Sequence, residues 1–200
     1  MDKTISGPSS IGMTDLFALA ASMADLQGDR PLPPVETWNP DHCGEIDITI
    51  RRDGIWVHEG SPIGRTKLVR LFSTVLKREG DDYFLVTPVE KLQLTVEDVP
   101  FLAVGMEVDG DGEGQTLRFR TNVGDEVIAG PDHPITFRRD PRERADDGAL
   151  VPYVEVRAGL KARLTRTLYY DFVTLLRGDP PSLRSAGAVF PYEEIDSRKP

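Results

Sequence analysis

The sequence predicts an α+β protein made of two similar units, each a β-sheet or partial barrel carrying one amphipathic helix. Three observations carry this. Residues 45–51 alternate apolar and polar side chains and run into Asp53-Gly54, a strand leading into a tight turn. Between residues 83 and 157, short β-branched and aromatic runs alternate with Gly- and Asp-rich punctuation, as in all-β layers. Two helical stretches then match one another at a spacing of 100 residues: Leu68, Phe72, Thr74 and Leu76 recur as Leu168, Phe172, Thr174 and Leu176.

Taken in order, residues 1–32 form an extension. Thr14 is placed to N-cap a helix to Asp25, with Leu16, Leu19, Ala20, Met23 and Leu26 at helical spacing. The apolar run from Leu16 to Ala24 is short, lacks a basic cluster before it and is bracketed by Asp15 and Asp25, so it does not read as a secretion signal. No run approaches the roughly 18 apolar residues of a membrane span. Arg30 to Pro34 reads as a linker. In the first hairpin, Ile46, Ile48 and Ile50 form the buried face. A two-residue turn at Asp53-Gly54 sets Arg51 opposite Trp56, Ile50 opposite Val57 and Thr49 opposite His58. Trp56 and His58 then share the outer face with Asp47, Thr49 and Arg51. Gly60 to Gly64 is a loop, and a helix follows over 65–78 with Leu68, Leu71, Phe72, Val75 and Leu76 inward.

Strands are expected at 83–87, 91–96, 101–108, 116–121, 126–128, 134–138 and 152–157. The mixed charges of 140–147 read as a loop. A second helix is expected over 161–176, ended by Gly178-Asp179-Pro180-Pro181, and a last edge strand over 188–192.

Charge is distributed unevenly. The chain carries a net charge of −9, which argues against duplex DNA and anionic membranes as partners. Yet residues 60–78 hold Arg65, Lys67, Arg70, Lys77 and Arg78 without an acid, and residues 156–170 hold Arg157, Lys161, Arg163 and Arg166 without an acid. Each cluster begins after a Gly loop at an expected helix start, where free N–H groups and guanidinium forks suit a phosphate or carboxylate. The competing reading is a pair of solvated basic faces paired with acids such as Glu59, Glu90 and Asp98. The single cysteine, Cys43, excludes an intrachain disulfide and fits a reducing, cytoplasmic compartment.

Catalytic and metal patterns fail one by one. Asp109 to Gly114 starts like a calcium loop, but Arg120 stands where the bidentate glutamate belongs, and a hairpin loop is the better reading. No phosphate-binding loop of the NTPase type and no G-x-S-x-G elbow occurs. His42, Cys43, His58 and His133 lack the spacing of a zinc site. His58 and Glu59 are adjacent on a strand, so their side chains point to opposite faces and form no dyad. No metal, cofactor or catalytic residue is expected.

One wider pattern spans the chain. Trp38-Asn39-Pro40, Gly44 to Ile50, Asp53-Gly54 and Trp56 to Ile63 open it; Arg65, Leu68-Val69, Leu71-Phe72, Leu85 to Lys91 and Val96 to Phe101 continue it. Tyr153 to Arg166, Tyr169-Tyr170, Ser185, Gly187 and Phe190-Pro191 close it. In these residues the chain resembles bacterial family 1285 of domains of unknown function. The resemblance implies two duplicated β-plus-helix domains, the second like a pleckstrin-homology barrel. It also implies a nucleotide-like ligand at the interdomain surface and a role in signalling; it carries over no catalytic residue. The expected domains are 33–98 and 99–194, with a tail at 195–200. The expected function is non-enzymatic binding of a phosphorylated or nucleotide-like molecule. Arg65, Lys67, Arg157, Lys161 and Arg163 are the anion contacts, Trp56 and His58 flank a base, and Glu59 hydrogen-bonds it. The alternatives are a protein-interaction domain for an acidic partner and, further off, a hydrolase using His58 or a carboxylate.

Overall fold

The computed structural model describes residues 32–139 and 150–194. The expected N-terminal helix, the first two residues of the following linker and the 140–147 loop lie outside the described residues. The chain divides after Asp98 into two compact units.

The first unit contains β1 (His42–Ile50), β2 (Trp56–His58), β3 (Ser61–Pro62), α1 (Thr66–Thr74), β4 (Leu76–Glu79), β5 (Asp82–Val86) and β6 (Glu90–Val96). They form one six-stranded sheet in the order β3-β2-β1-β6-β5-β4. Two antiparallel meanders, β1 to β3 and β4 to β6, are joined by parallel pairing of β1 with β6. Ile46, Ile48, Ile50, Leu85 and Leu92 are buried with Leu71 and Phe72 of α1. Phe72 stacks on Trp56 at 6.4 Å between ring centroids. On the sheet, Glu79 accepts a hydrogen bond from Lys91 and lies beside Lys77, and these contacts hold its carboxyl below the usual carboxylate range.

Two expectations are corrected here. The first hairpin takes a three-residue connection, not two. Gly54 N–H donates to Arg51 C=O and Arg51 N–H to Ile55 C=O, both at 2.9 Å, with Gly54 left-handed at φ 80°. Asp53-Gly54 thus completes a turn begun at Arg51, the usual geometry of a three-residue hairpin loop. The pairing becomes Ile50 with Trp56, Thr49 with Val57 and Ile48 with His58. A one-residue slip turns a strand over, so Trp56 and His58 join the isoleucines in the interior. The second correction is the helix end. Ser73 and Thr74 hydroxyls donate to the carbonyls of Arg70 and Leu71 at 2.7 Å. This back-bonding and two β-branched residues end α1 at Thr74, and Lys77 and Arg78 belong to β4.

The second unit contains β7 (Phe101–Asp109), β8 (Thr116–Thr121), β9 (Glu126–Ile128), β10 (Ile135–Arg138), β11 (Val151–Arg157), β12 (Leu160–Leu164), α2 (Arg166–Val173), β13 (Ser182–Ser185) and β14 (Ala188–Pro191). Its main sheet runs β10-β11-β12-β7-β8-β9, and again the first and last strands, β7 and β12, pair in parallel. This half-barrel, with its helix after the last strand, fits the barrel-like expectation for this unit. Phe137 meets Phe172 of α2 and Tyr192 at 6.0 and 5.1 Å, which places α2 on the face of Phe137. The Asp109–Gly114 segment is a hairpin connection between β7 and β8 with one short 3-10 turn.

The expected helix over 161–176 is the third correction. Leu160, Ala162 and Leu164 are buried and Lys161 and Arg163 half-buried, a strict two-residue period; the helix begins only at Arg166. The strand β13 was not expected. It forms a hairpin with β14 that docks through Ser185, whose hydroxyl accepts from Leu117 N–H and donates to Ala129 C=O.

The fold is a duplicated two-domain α+β arrangement, and its repeated element is a hairpin followed by a helix: β2-β3-α1 and β11-β12-α2. The helices keep the spacing of 100 residues, Thr66 matching Arg166 at their starts. Among the described residues, no helix is long and apolar enough to cross a membrane.

Candidate functional site

In the first unit the expected site residues separate. Arg65 is the N-cap residue of α1 and Lys67 lies in its first turn; both are exposed, and that turn contains no acid. Glu59 is exposed and left-handed (φ 47°) in the β2–β3 turn. Trp56 and His58 are 1% and 3% exposed, behind the sheet surface. Neither ring nitrogen of His58, nor Nε1 of Trp56, has a hydrogen-bond partner. Buried polar atoms of this kind are satisfied by ordered water or cost stability.

In the second unit the expected cations fall on strands, and two roles emerge. Arg157 pairs with Asp125 at 2.7 Å and lies 5.1 Å from the Phe101 ring centroid. It fastens the end of β11 to the β8–β9 turn across the sheet. Lys161 and Arg163 instead share one face of the sheet with residues that sequence reasoning missed. Arg163 is directly opposite Tyr153, which is directly opposite Thr136. Arg138, two residues along β10, sets its guanidinium 5.0 Å over the Tyr153 ring. Lys161 reaches across β11 to donate to Thr136 Oγ1 at 3.2 Å. Phe137 and Ala162 point to the opposite, buried side, so these cations occupy the face away from α2.

The result is a patch of three half-buried cations, Arg138, Lys161 and Arg163, around one buried tyrosine. The carboxylate on the same rows is Glu155, opposite Lys161, and its Oε1 accepts the Gly159 N–H at 3.0 Å. Among the described residues, no carboxylate lies within ion-pair distance of Arg138. Its alternation with Thr136 in β10 was a readable signal, but only the pairing of β10 with β11 brings it to Tyr153. Chemically, two guanidiniums and an ammonium on one sheet face are donor groups of the kind that suit an anion; planar guanidinium forks match phosphate and carboxylate oxygens. Among the described residues, no group of His, Cys, Asp and Glu side chains is placed to hold a metal ion.

Family models match both units. Residues 33–99 match the N-terminal domain of the domain of unknown function DUF1285, and residues 100–192 match the C-terminal domain of the protein of unknown function DUF1285. A crystal structure of a DUF1285 family protein from Silicibacter pomeroyi DSS-3 is 44% identical, with a TM-score of 0.79, over 88% of this chain and 95% of that one. A second DUF1285 family structure, from Shewanella baltica OS155, is 30% identical over 64% of this chain and 91% of that one, with a TM-score of 0.48. No curated protein matches the chain.

Proposed function

We propose, from the premise that this chain belongs to the DUF1285 family, that it is a non-enzymatic binding module for a phosphorylated or nucleotide-like small molecule. The ligand's anionic group sits on the cationic face of β10, β11 and β12. One observation supports this above the others: Arg138, Lys161 and Arg163 converge on that face around Tyr153 in an acidic protein. Guanidinium and ammonium donors fixed on one sheet face attract and orient an anionic group. Arg65 and Lys67, on the first unit, present a second and smaller cationic position at the start of α1.

The test is a thermal-shift screen of the full chain against nucleotides, cyclic dinucleotides and inorganic phosphate, followed by titration of any hit. A ligand at about 100 times its Kd adds about 2.7 kcal/mol and visibly raises Tm. Arg138→Ala and Arg163→Ala are then expected to weaken binding by about 1.5–3 kcal/mol each. Arg65→Ala reports on the second position. Full affinity in both second-unit variants would sink the assignment. An absence of any shift, with reproducible capture of an acidic protein that salt releases, would transfer the basic face to the protein-partner reading.

A further inference from the structure

Away from the cationic sheet face, the second unit holds a cleft of about 510 Å³ between the β7–β8 connection and the C-terminal hairpin. Its size falls in the range of small-molecule sites. One wall is acidic: Asp111 and Glu113 stand on the 3-10 turn at Gly112–Gly114. Gly110, at φ 70°, shapes this connection, because a Cβ there would lie 2.7 Å from the Gly114 carbonyl oxygen. The other wall is basic. Arg184 extends from β13, and Arg177 is oriented by donating to the carbonyls of Thr174 and Leu176 at the end of α2.

The two walls are stitched together below the charges. Gln115 Nε2 donates to Arg184 C=O at 2.7 Å, and Ala186 N–H donates to Gln115 C=O at 2.9 Å. Among the described residues, neither Asp111 nor Glu113 makes an ion pair with Arg177 or Arg184. The cleft thus has two acidic side chains on one side and two arginines on the other, with no ion pair between them among the described residues. A ligand carrying one charge satisfies one wall and is repelled by the other.

We propose that this cleft binds a small zwitterion, a free amino acid or short peptide, with its ammonium toward Asp111 and Glu113 and its carboxylate toward Arg177 and Arg184. Paired polarity gives the site orientation as well as attraction, because the reversed ligand meets like charge at both ends. This site is separate in its residues from the cationic face of β10 to β12.

The experiment is an amide chemical-shift titration of the full-length protein with glycylglycine, glycine, N-acetylglycylglycine and glycylglycinamide. Glycylglycine is expected to give saturable shifts confined to residues 111–115 and 175–186. The acetylated and amidated analogues, each with one charge, are expected to bind about tenfold more weakly or worse. Arg184→Gln and Glu113→Gln are each expected to lose about tenfold, or about 1.4 kcal/mol, with the rest of the spectrum unchanged. Both side chains are exposed, so these variants keep the fold. Glycine binding as tightly as glycylglycine assigns an amino acid; tighter binding of glycylglycine assigns a peptide. No saturable shift at ligand concentrations well above about 1 mM, or equal binding of the singly charged analogues, overturns the proposal. Arg138→Ala leaves these shifts unchanged, so failure here and failure of the anion reading are separable.

Discussion

Ser185 has no exposed surface and uses its hydroxyl in both senses, accepting from Leu117 N–H at 2.8 Å and donating to Ala129 C=O at 2.7 Å. It joins the C-terminal hairpin to β8 and to the residue after β9. Removing the oxygen leaves a buried donor and a buried acceptor without partners, which is the expensive way to lose a hydrogen bond. Ser185→Ala is expected to destabilise the second unit by about 2–3 kcal/mol, read as a lower urea midpoint at constant slope. Ser182→Ala, on the same strand but half-buried and bonded once to Arg177 C=O at 3.3 Å, serves as the control and is expected to cost less than about 0.5 kcal/mol. Equal midpoints for the two variants would contradict the anchoring role. The same accounting separates the cations of the second unit. Arg157 is committed to Asp125, whereas Arg138 rests on an aromatic ring, and composition alone weighs them equally.

Three hairpins share one turn that the sequence does not advertise. Glu59-Gly60, Ala158-Gly159 and Ala186-Gly187 each place a non-glycine residue at φ 44–47° before a glycine at φ 74–76°. Their flanking pairs are His58 with Ser61, Arg157 with Leu160 and Ser185 with Ala188. Positive φ at both positions matches the right-handed twist of the strands, and Asn-Gly is the usual signal for it. Alanine and glutamate hide that signal, so Gly60 and Gly159 read as loops before helices, β13 went unread and β12 merged into α2. Where the local chemistry is orthodox, the strands were legible: β8 and β9 have the expected bounds. Both helices were over-extended because Leu76 and Leu164 satisfy a helical spacing and a strand alternation alike. The hidden turn also yields a test. Ala158 is exposed, and asparagine tolerates the left-handed region better than alanine. Ala158→Asn is expected to stabilise the second unit by about 0.5–1 kcal/mol, seen as a raised Tm. A neutral or lowered Tm would show that the φ of 44° costs nothing here.

At the scale of the whole chain, each unit closes its sheet by pairing its own first strand with its own last: β1 with β6, and β7 with β12. Every strand of both six-stranded sheets finds its partners within one unit. Strand alternation announces none of this, because parallel pairing of distant segments leaves no local mark. For the same reason the candidate face of β10 to β12 was legible only as a list of cations. Closure between first and last strands has a consequence for folding. The centre of each sheet forms only when the ends of a unit's chain meet, so loop-closure entropy is paid before the central contacts repay it. Each unit is therefore expected to behave as one cooperative block that tolerates separation from its neighbour but not loss of a terminal strand. A fragment of residues 32–98 is expected to unfold cooperatively in urea with the sheet signature of the intact chain, as is one of residues 99–194. Shortening the first to end at Thr87 removes β6, exposes the core faces of Leu85, the partner of Leu92, and of Ile50, the partner of Val96, and is expected to abolish the transition. Cooperative unfolding that survives loss of β6 would mean that β1 to β5 with α1 fold without the parallel closure of the sheet. Loop closure between the first and last strands would then not be the step that makes the unit cooperative.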